Sequence, residues 1–127
     1  MEILLDTNFI LTCVRQKIDF ASLAEGMFDE KIGWIVPQEV LDEMGQLKDR
    51  KGMKIEDKNA AELGFEVLQN IEPKIINLKG KNPNVDIKIV NYLIGKKIIL
   101  ATLDKGLKGR VNNKILTIKG KNSLIII

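Results

Sequence analysis

Four acids in this chain fall where acids are costly. Asp6 directly follows the apolar run Ile3-Leu4-Leu5, and Asp104 closes Ala101-Thr102-Leu103-Asp104 at the end of another apolar run. Glu43 stands three residues after Val40 and four before Leu47, on the apolar stripe of a helix. Asp86 heads a stripe of Ile89, Val90 and Leu93 in a first helical turn, where the backbone dipole favours negative charge. Carboxylates drawn together out of water repel and lose hydration. Either they hold their protons more tightly or a cation joins them. The chain has no histidine and a single cysteine, Cys13. That removes His-dependent nucleophilic and general-base catalysis, an intramolecular disulfide, and Cys- or His-ligated metal sites. All-oxygen donors suit Mg²⁺ or Mn²⁺, which take one or two carboxylates each and keep several waters. Such an ion beside basic residues suits phosphodiester hydrolysis, because it activates water and offsets charge developing on the phosphate.

The elements that must carry these acids alternate between short apolar runs and helical stripes. Strands are predicted at Ile3–Leu5, Trp34–Val36, Ile75–Ile76, Ile98–Ala101, Ile115–Ile118 and Leu124–Ile127. Helices are predicted from Asn8, as cap of Phe9-Ile10-Leu11, over Phe20–Phe28, from Pro37 through Leu47, over Ala60–Ile71, and over Asp86–Ile94. Residues 48–58 read as a charged loop or frayed helix end. Strand–helix alternation with continuously apolar strands implies an α/β fold, a parallel sheet covered on both faces. Ligands of such sheets bind beyond the carboxyl ends of the strands, where Asp6 and Asp104 fall.

At 127 residues the expectation is one domain spanning 1–127. No apolar stretch approaches the ~20 residues of a membrane span, and the first residues lack the basic start of a signal peptide. The expected compartment is therefore the cytoplasm, with no membrane partner. Twenty Lys+Arg against 17 Asp+Glu leave +3, which permits a polyanionic partner without requiring one. Aromatics make up 5%, too few for a base-stacking platform.

The segments Leu4-Leu5-Asp6-Thr7-Asn8-Phe9-Ile10-Leu11, Val36-Pro37-Gln38-Glu39-Val40-Leu41-Asp42-Glu43-Met44, Asp86-Ile87-Lys88-Ile89-Val90 and Ala101-Thr102-Leu103-Asp104-Lys105-Gly106-Leu107-Lys108 resemble the PIN-domain nuclease family in order and spacing. The likeness covers nearly the whole chain and is strongest to archaeal PIN proteins and to small-subunit ribosomal RNA processing nucleases. It implies a three-layer sandwich with helices on both faces of a parallel sheet ordered 3-2-1-4-5. It also implies a Mg²⁺- or Mn²⁺-dependent endoribonuclease acting on single-stranded RNA. Asp6, Glu43, Asp86 and Asp104 match the family's catalytic, metal-binding acids. Asn8 and Thr102 match polar residues that orient them. Glu39, one turn before Glu43, is the alternative for its place.

Each acid has a plainer reading: a helix cap for Asp6, a dipole partner for Asp86, a surface acid for Glu43, a turn residue for Asp104. Only their conjunction favours a metal. Lys105, Lys108 and Arg110 adjoin Asp104, and Lys48, Arg50 and Lys51 follow the Glu43 helix; both clusters are candidates for RNA phosphates or are simply solvated. The expected roles are ribosomal RNA processing or the toxin of a toxin–antitoxin pair, with an antitoxin protein and a homodimer as candidate partners. The alternative is a catalytically weak RNA- or ribosome-binding module. A phosphotransferase using Asp6 as nucleophile is disfavoured, since Asp6-Thr7-Asn8 lacks a second acid two residues on.

Overall fold

The computed structural model describes residues 1–52 and 54–127. Its strands are β1 (Glu2–Leu5), β2 (Gly33–Pro37), β3 (Lys74–Ile76), β4 (Ile98–Ala101), β5 (Ile115–Lys119) and β6 (Ser123–Ile126). Its helices are α1 (Thr7–Arg15), α2 (Phe20–Met27), α3 (Gln38–Asp49), α4 (Ile55–Ile71), α5 (Val85–Leu93) and α6 (Lys105–Lys108). They form one sheet ordered β3-β2-β1-β4-β5-β6. The first five strands of that order pair in parallel, and β6 returns antiparallel to β5. The predicted 3-2-1-4-5 order is therefore present, with one strand added at the edge.

The period of two along each strand divides the apolar residues between two cores. Ile3, Leu5, Trp34, Val36, Ile99, Ala101 and Leu116 face one side with the buried residues of α1 to α4. Leu4, Ile35, Ile98, Leu100 and Ile115 face the other, where α5 and α6 supply Ile89, Leu93 and Leu107. Strands covered on both faces have no position for a polar side chain, which is why these runs are continuous. The Phe20–Phe28 and Ala60–Ile71 stripes are spent in the first core through Phe20, Ala24, Ala60, Ala61 and Leu68. Trp34 packs edge-on against Phe20 at 5.4 Å. The Cys13 thiol is buried there, which pushes its pKa up to about 12 and leaves it inert. On α4, Gly64 lies so near α3 and α1 that an added Cβ would meet Met44 Cε at 2.6 Å and Ile10 at 3.3 Å.

Several local expectations change. Asp6, not Asn8, caps α1: its extended backbone (φ −91°, ψ 153°) leaves its side chain free to accept the Thr7 N–H, so the helix begins at Thr7. The charged stretch 48–58 divides: α3 continues through Asp49, α4 starts at Ile55, and 50–52 and 54 lie outside both helices. Met53, within that stretch, lies outside the described residues. The short α6, capped by Asp104, has no counterpart among the predicted elements. No helix among the described residues is long and apolar enough to cross a membrane.

Candidate active site

Strand order reverses between β1 and β4, whose register pairs Leu5 with Ala101. The residues just past that pair therefore stand side by side at the carboxyl edge. The Asp6 N–H donates to the Ala101 carbonyl at 3.0 Å, continuing the ladder by one step. Asp6 is only 6% exposed. Its Oδ1 accepts the Thr7 N–H at 2.9 Å and its Oδ2 accepts the Thr102 hydroxyl at 2.8 Å. Thr102 Oγ1 in turn accepts the Asp104 N–H at 3.1 Å. One buried hydroxyl thus ties the side chain of one strand-end aspartate to the backbone of the other. Asp104 Oδ1 accepts the Leu107 N–H at 3.0 Å and caps α6.

The other two acids arrive from different layers. Glu43 lies on α3, after β2, and Asp86 lies in the first turn of α5, which Asn84 caps through the Ile87 N–H at 3.2 Å. The protonation of Asp6, Glu43 and Asp86 responds to the neighbouring acids. Burial raises the pKa of Asp6 first of all, the bonds from Thr102 and Thr7 lower it, and the charges of Asp86 and Asp104 raise it again. Glu43 is raised by burial, then by Asp6 and Asp86, against a lowering contribution from the Thr7 hydroxyl. Asp86 is raised by burial and by Asp104, and lowered by Arg110. Asp6, Glu43 and Asp86 thus each lie within electrostatic reach of another acid, with Asp104 acting on Asp6 and Asp86. Among the described residues none of them forms a salt bridge; the two ion pairs present are Arg15–Asp57 and Lys88–Glu39.

Glu39 and Glu43 separate clearly. Glu39 accepts the Leu78 N–H at 3.3 Å and faces Lys88 Nζ at 3.9 Å. Its carboxylate serves the fold, while Glu43 is the one that feels Asp6 and Asp86. Asn8 is exposed, and its Oδ1 accepts the Leu103 N–H at a long 3.4 Å, so it braces the loop before Asp104 and leaves Asp6 to Thr102. Thr7 is a member that the motifs alone do not single out. Its hydroxyl is buried and lies near enough to Glu43 to favour the ionised carboxylate, yet makes no well-aligned hydrogen bond among the described residues. The one available sequence signal is its place beside Asp6 at a strand-to-helix junction.

The basic residues divide. Arg110 is exposed and acts on Asp86, so it lies within electrostatic reach of the acids. Arg50, the extended residue just past the end of α3, lines an open groove with Glu43 and Leu47. Lys48, Lys51 and Lys105 are exposed. Lys108 is half-buried, and its Nζ donates to the buried Thr117 hydroxyl of β5 at 3.1 Å.

The donor set suits a hard divalent cation: carboxylate oxygens without salt bridges, three of the four acids holding protons above their ordinary range, and an orphaned buried hydroxyl. Among the described residues, however, no three such acids stand close enough to form a ready-made chelate. The fit is to an ion held by one or two carboxylates and completed by water, the habit of Mg²⁺.

Fold and site together define a three-layer α/β protein with an acidic crevice at its topological switch point. The chain belongs to the PIN-like domain family, which its sequence matches over residues 3–120. Among solved structures, that of the PIN domain endonuclease Utp24 is similar, with a TM-score of 0.78 over 98% of this chain and 90% of that one. At 22% identity the likeness is one of fold. No curated protein sequence matches the chain.

Proposed function

We propose that this protein is a divalent-metal-dependent endoribonuclease that hydrolyses phosphodiester bonds of single-stranded RNA in the cytoplasm. The observation that supports it best is the coupling of Asp6, Glu43, Asp86 and Asp104, four acids from distant segments, without a basic partner in salt-bridge reach. Like charges held together in a folded chain demand a reason, and a hard cation supplies one. Asp6 and Asp104 would hold Mg²⁺ or Mn²⁺, with Asp86 and Glu43 acting directly or through water. The ion supplies an activated water and offsets charge on the phosphate. Thr102 fixes the Asp6 carboxylate in one orientation, and Thr7 leaves a hydroxyl for a water or a phosphate oxygen. Arg110, Lys105, Arg50, Lys48 and Lys51 hold neighbouring phosphates.

The test is cleavage of a single-stranded oligoribonucleotide with Mn²⁺ or Mg²⁺ by wild type, Asp6→Asn and Asp104→Asn. Cleavage by wild type that vanishes with EDTA and in both variants supports the proposal. Equal cleavage by all three proteins rejects it as contamination. The loose spacing of the acids favours one competing reading, an RNA-binding module of weak activity. Tight RNA binding with no metal-stimulated cleavage would select it. Two settings follow from the sequence resemblance, ribosomal RNA processing and a toxin restrained by an antitoxin. Growth arrest on expression, relieved by a small partner protein, selects the second, and accumulation of uncut ribosomal RNA precursor on depletion selects the first.

A further inference from the structure

A cavity of about 400 Å³ lies between α5 and the segment that follows β3. Lys79, Lys88 and Lys96 converge on it, with Asn77, Asn91 and Tyr92 between them. Three lysines line one small space, and the protein supplies little negative charge against them. Glu39 is the only carboxylate among the described residues within 4.0 Å of any of them, at 3.9 Å from Lys88. Lys96 is turned onto the face of Tyr92, 4.5 Å from the ring centre, and donates to the Tyr92 carbonyl. That arrangement softens the charge of Lys96 without cancelling it. An excess of positive charge faces solvent in a cavity at the lower end of the size range of small-ligand sites.

The position matters as much as the charge. β3 runs parallel to β2, and β2 to β1, so the residues after Ile76 emerge at the same carboxyl edge as Asp6. β3 is two strands from β1, an offset of roughly 10 Å. α5 begins at that edge with Asp86 and carries Lys88, Asn91 and Tyr92 away from it along the helix. Leu78, between Asn77 and Lys79, donates its N–H to Glu39 of α3 and so fixes that segment. Asn77 and Lys79, which follow β3, and Lys88, two residues after Asp86, put one end of the cavity at the edge that carries the acids, and Lys96, just before β4, marks its other end.

We infer that the cavity is a nucleotide subsite, in which a phosphate of the same single-stranded RNA binds Lys79, Lys88 and Lys96 while the asparagine amides meet sugar or base edges. This rests on the endoribonuclease reading for the identity of the strand. Its recognition elements are distinct from the acids, so the two can fail separately.

The experiment measures binding of a labelled single-stranded oligoribonucleotide to the whole chain in EDTA, with wild type, Lys79→Glu, and Lys79→Glu combined with Lys96→Gln. Because Lys96 braces the end of α5, the single Lys79 change provides the variant least able to disturb folding. A strand long enough to reach from the acids to the cavity is expected to lose roughly tenfold in affinity, with its salt slope reduced by about 0.7 for each phosphate no longer neutralised. Unchanged affinity and slope in the variants, or no binding by wild type, would overturn the subsite. So would adenosine monophosphate binding there as tightly as the strand, which would mark a site for a free nucleotide. Lysine-dependent binding without any metal-dependent cleavage keeps the subsite and removes the nuclease. Cleavage with lysine-independent binding does the reverse.

Discussion

The Thr102 hydroxyl donates to Asp6 Oδ2 at 2.8 Å across ninety-six positions of sequence. Parallel pairing of β1 with β4 makes the contact unavoidable once Leu5 and Ala101 are in register. The bond lowers the Asp6 pKa against the upward push of burial. Thr102→Val is expected to destabilise the fold by about 1.5–3 kcal/mol, the range for a hydrogen bond to a charged group. It is also expected to move the acid limb of the cleavage profile to higher pH, because Asp6 then ionises later. Thr102→Ser should restore both. Denaturant unfolding and a pH–rate profile measure the two effects; an unmoved acid limb would show that Thr102 serves folding alone.

Stability without metal should fall as pH rises through the acid range. Asp6, Glu43 and Asp86 have pKa values above their ordinary values of 3.8, 4.5 and 3.8. A group whose proton is held more tightly when folded favours the native state below its unfolded pKa, and that advantage is lost as pH climbs through the folded one. Asp6→Asn removes one of these three charges from the site. In EDTA its melting temperature should exceed that of wild type by several degrees at pH 7, with the gap closing toward pH 4. A gap independent of pH would contradict the coupling.

Glu43 and Glu39 should respond oppositely. Glu43→Gln is expected to reduce cleavage by about 10²-fold or more while leaving stability equal or improved, since a repelled carboxylate is removed. Glu39→Gln keeps an oxygen for the Leu78 N–H and loses only the charge facing Lys88, so its cost should be within about 1 kcal/mol and its cleavage near wild type. Paired kinetics and melts decide it.

Gly64 tests the packing that places α4 over α3. Gly64→Val should cost about 1–3 kcal/mol, because its branches meet Met44 and Ile10, both fully buried. An unchanged denaturation midpoint would mean the helices part freely.

The residues most legible in the sequence are those whose environment is set by their own segment. Ile3–Leu5 and Ile98–Ala101 announce strands covered on both faces, and Asp6 and Asp104 announce the edge where those strands end. Asp86 is marked by the stripe it heads. What sequence conceals is set by other segments. Glu39 and Glu43 lie one turn apart on α3 and are told apart by Leu78, Lys88 and Asp6, none of them on that helix. Lys108 adjoins Asp104 in sequence, and its bond to Thr117 of β5 is visible only in the fold. α6 is four residues long, too short for periodicity to register, and it forms because Asp104 caps it. The lysine cavity joins residues after β3 to the far half of α5, a juxtaposition that only the tertiary fold creates.

Uptake of Mn²⁺ by wild type and Asp6→Asn, followed by titration calorimetry at neutral pH, is the most direct measurement. Acids within electrostatic reach of one another predict saturable uptake by wild type and its loss in Asp6→Asn, with Thr102→Val intermediate. Wild type that takes up no Mn²⁺, or Asp6→Asn that binds it equally well, would contradict the claim that a divalent cation is what makes this cluster of acids tolerable.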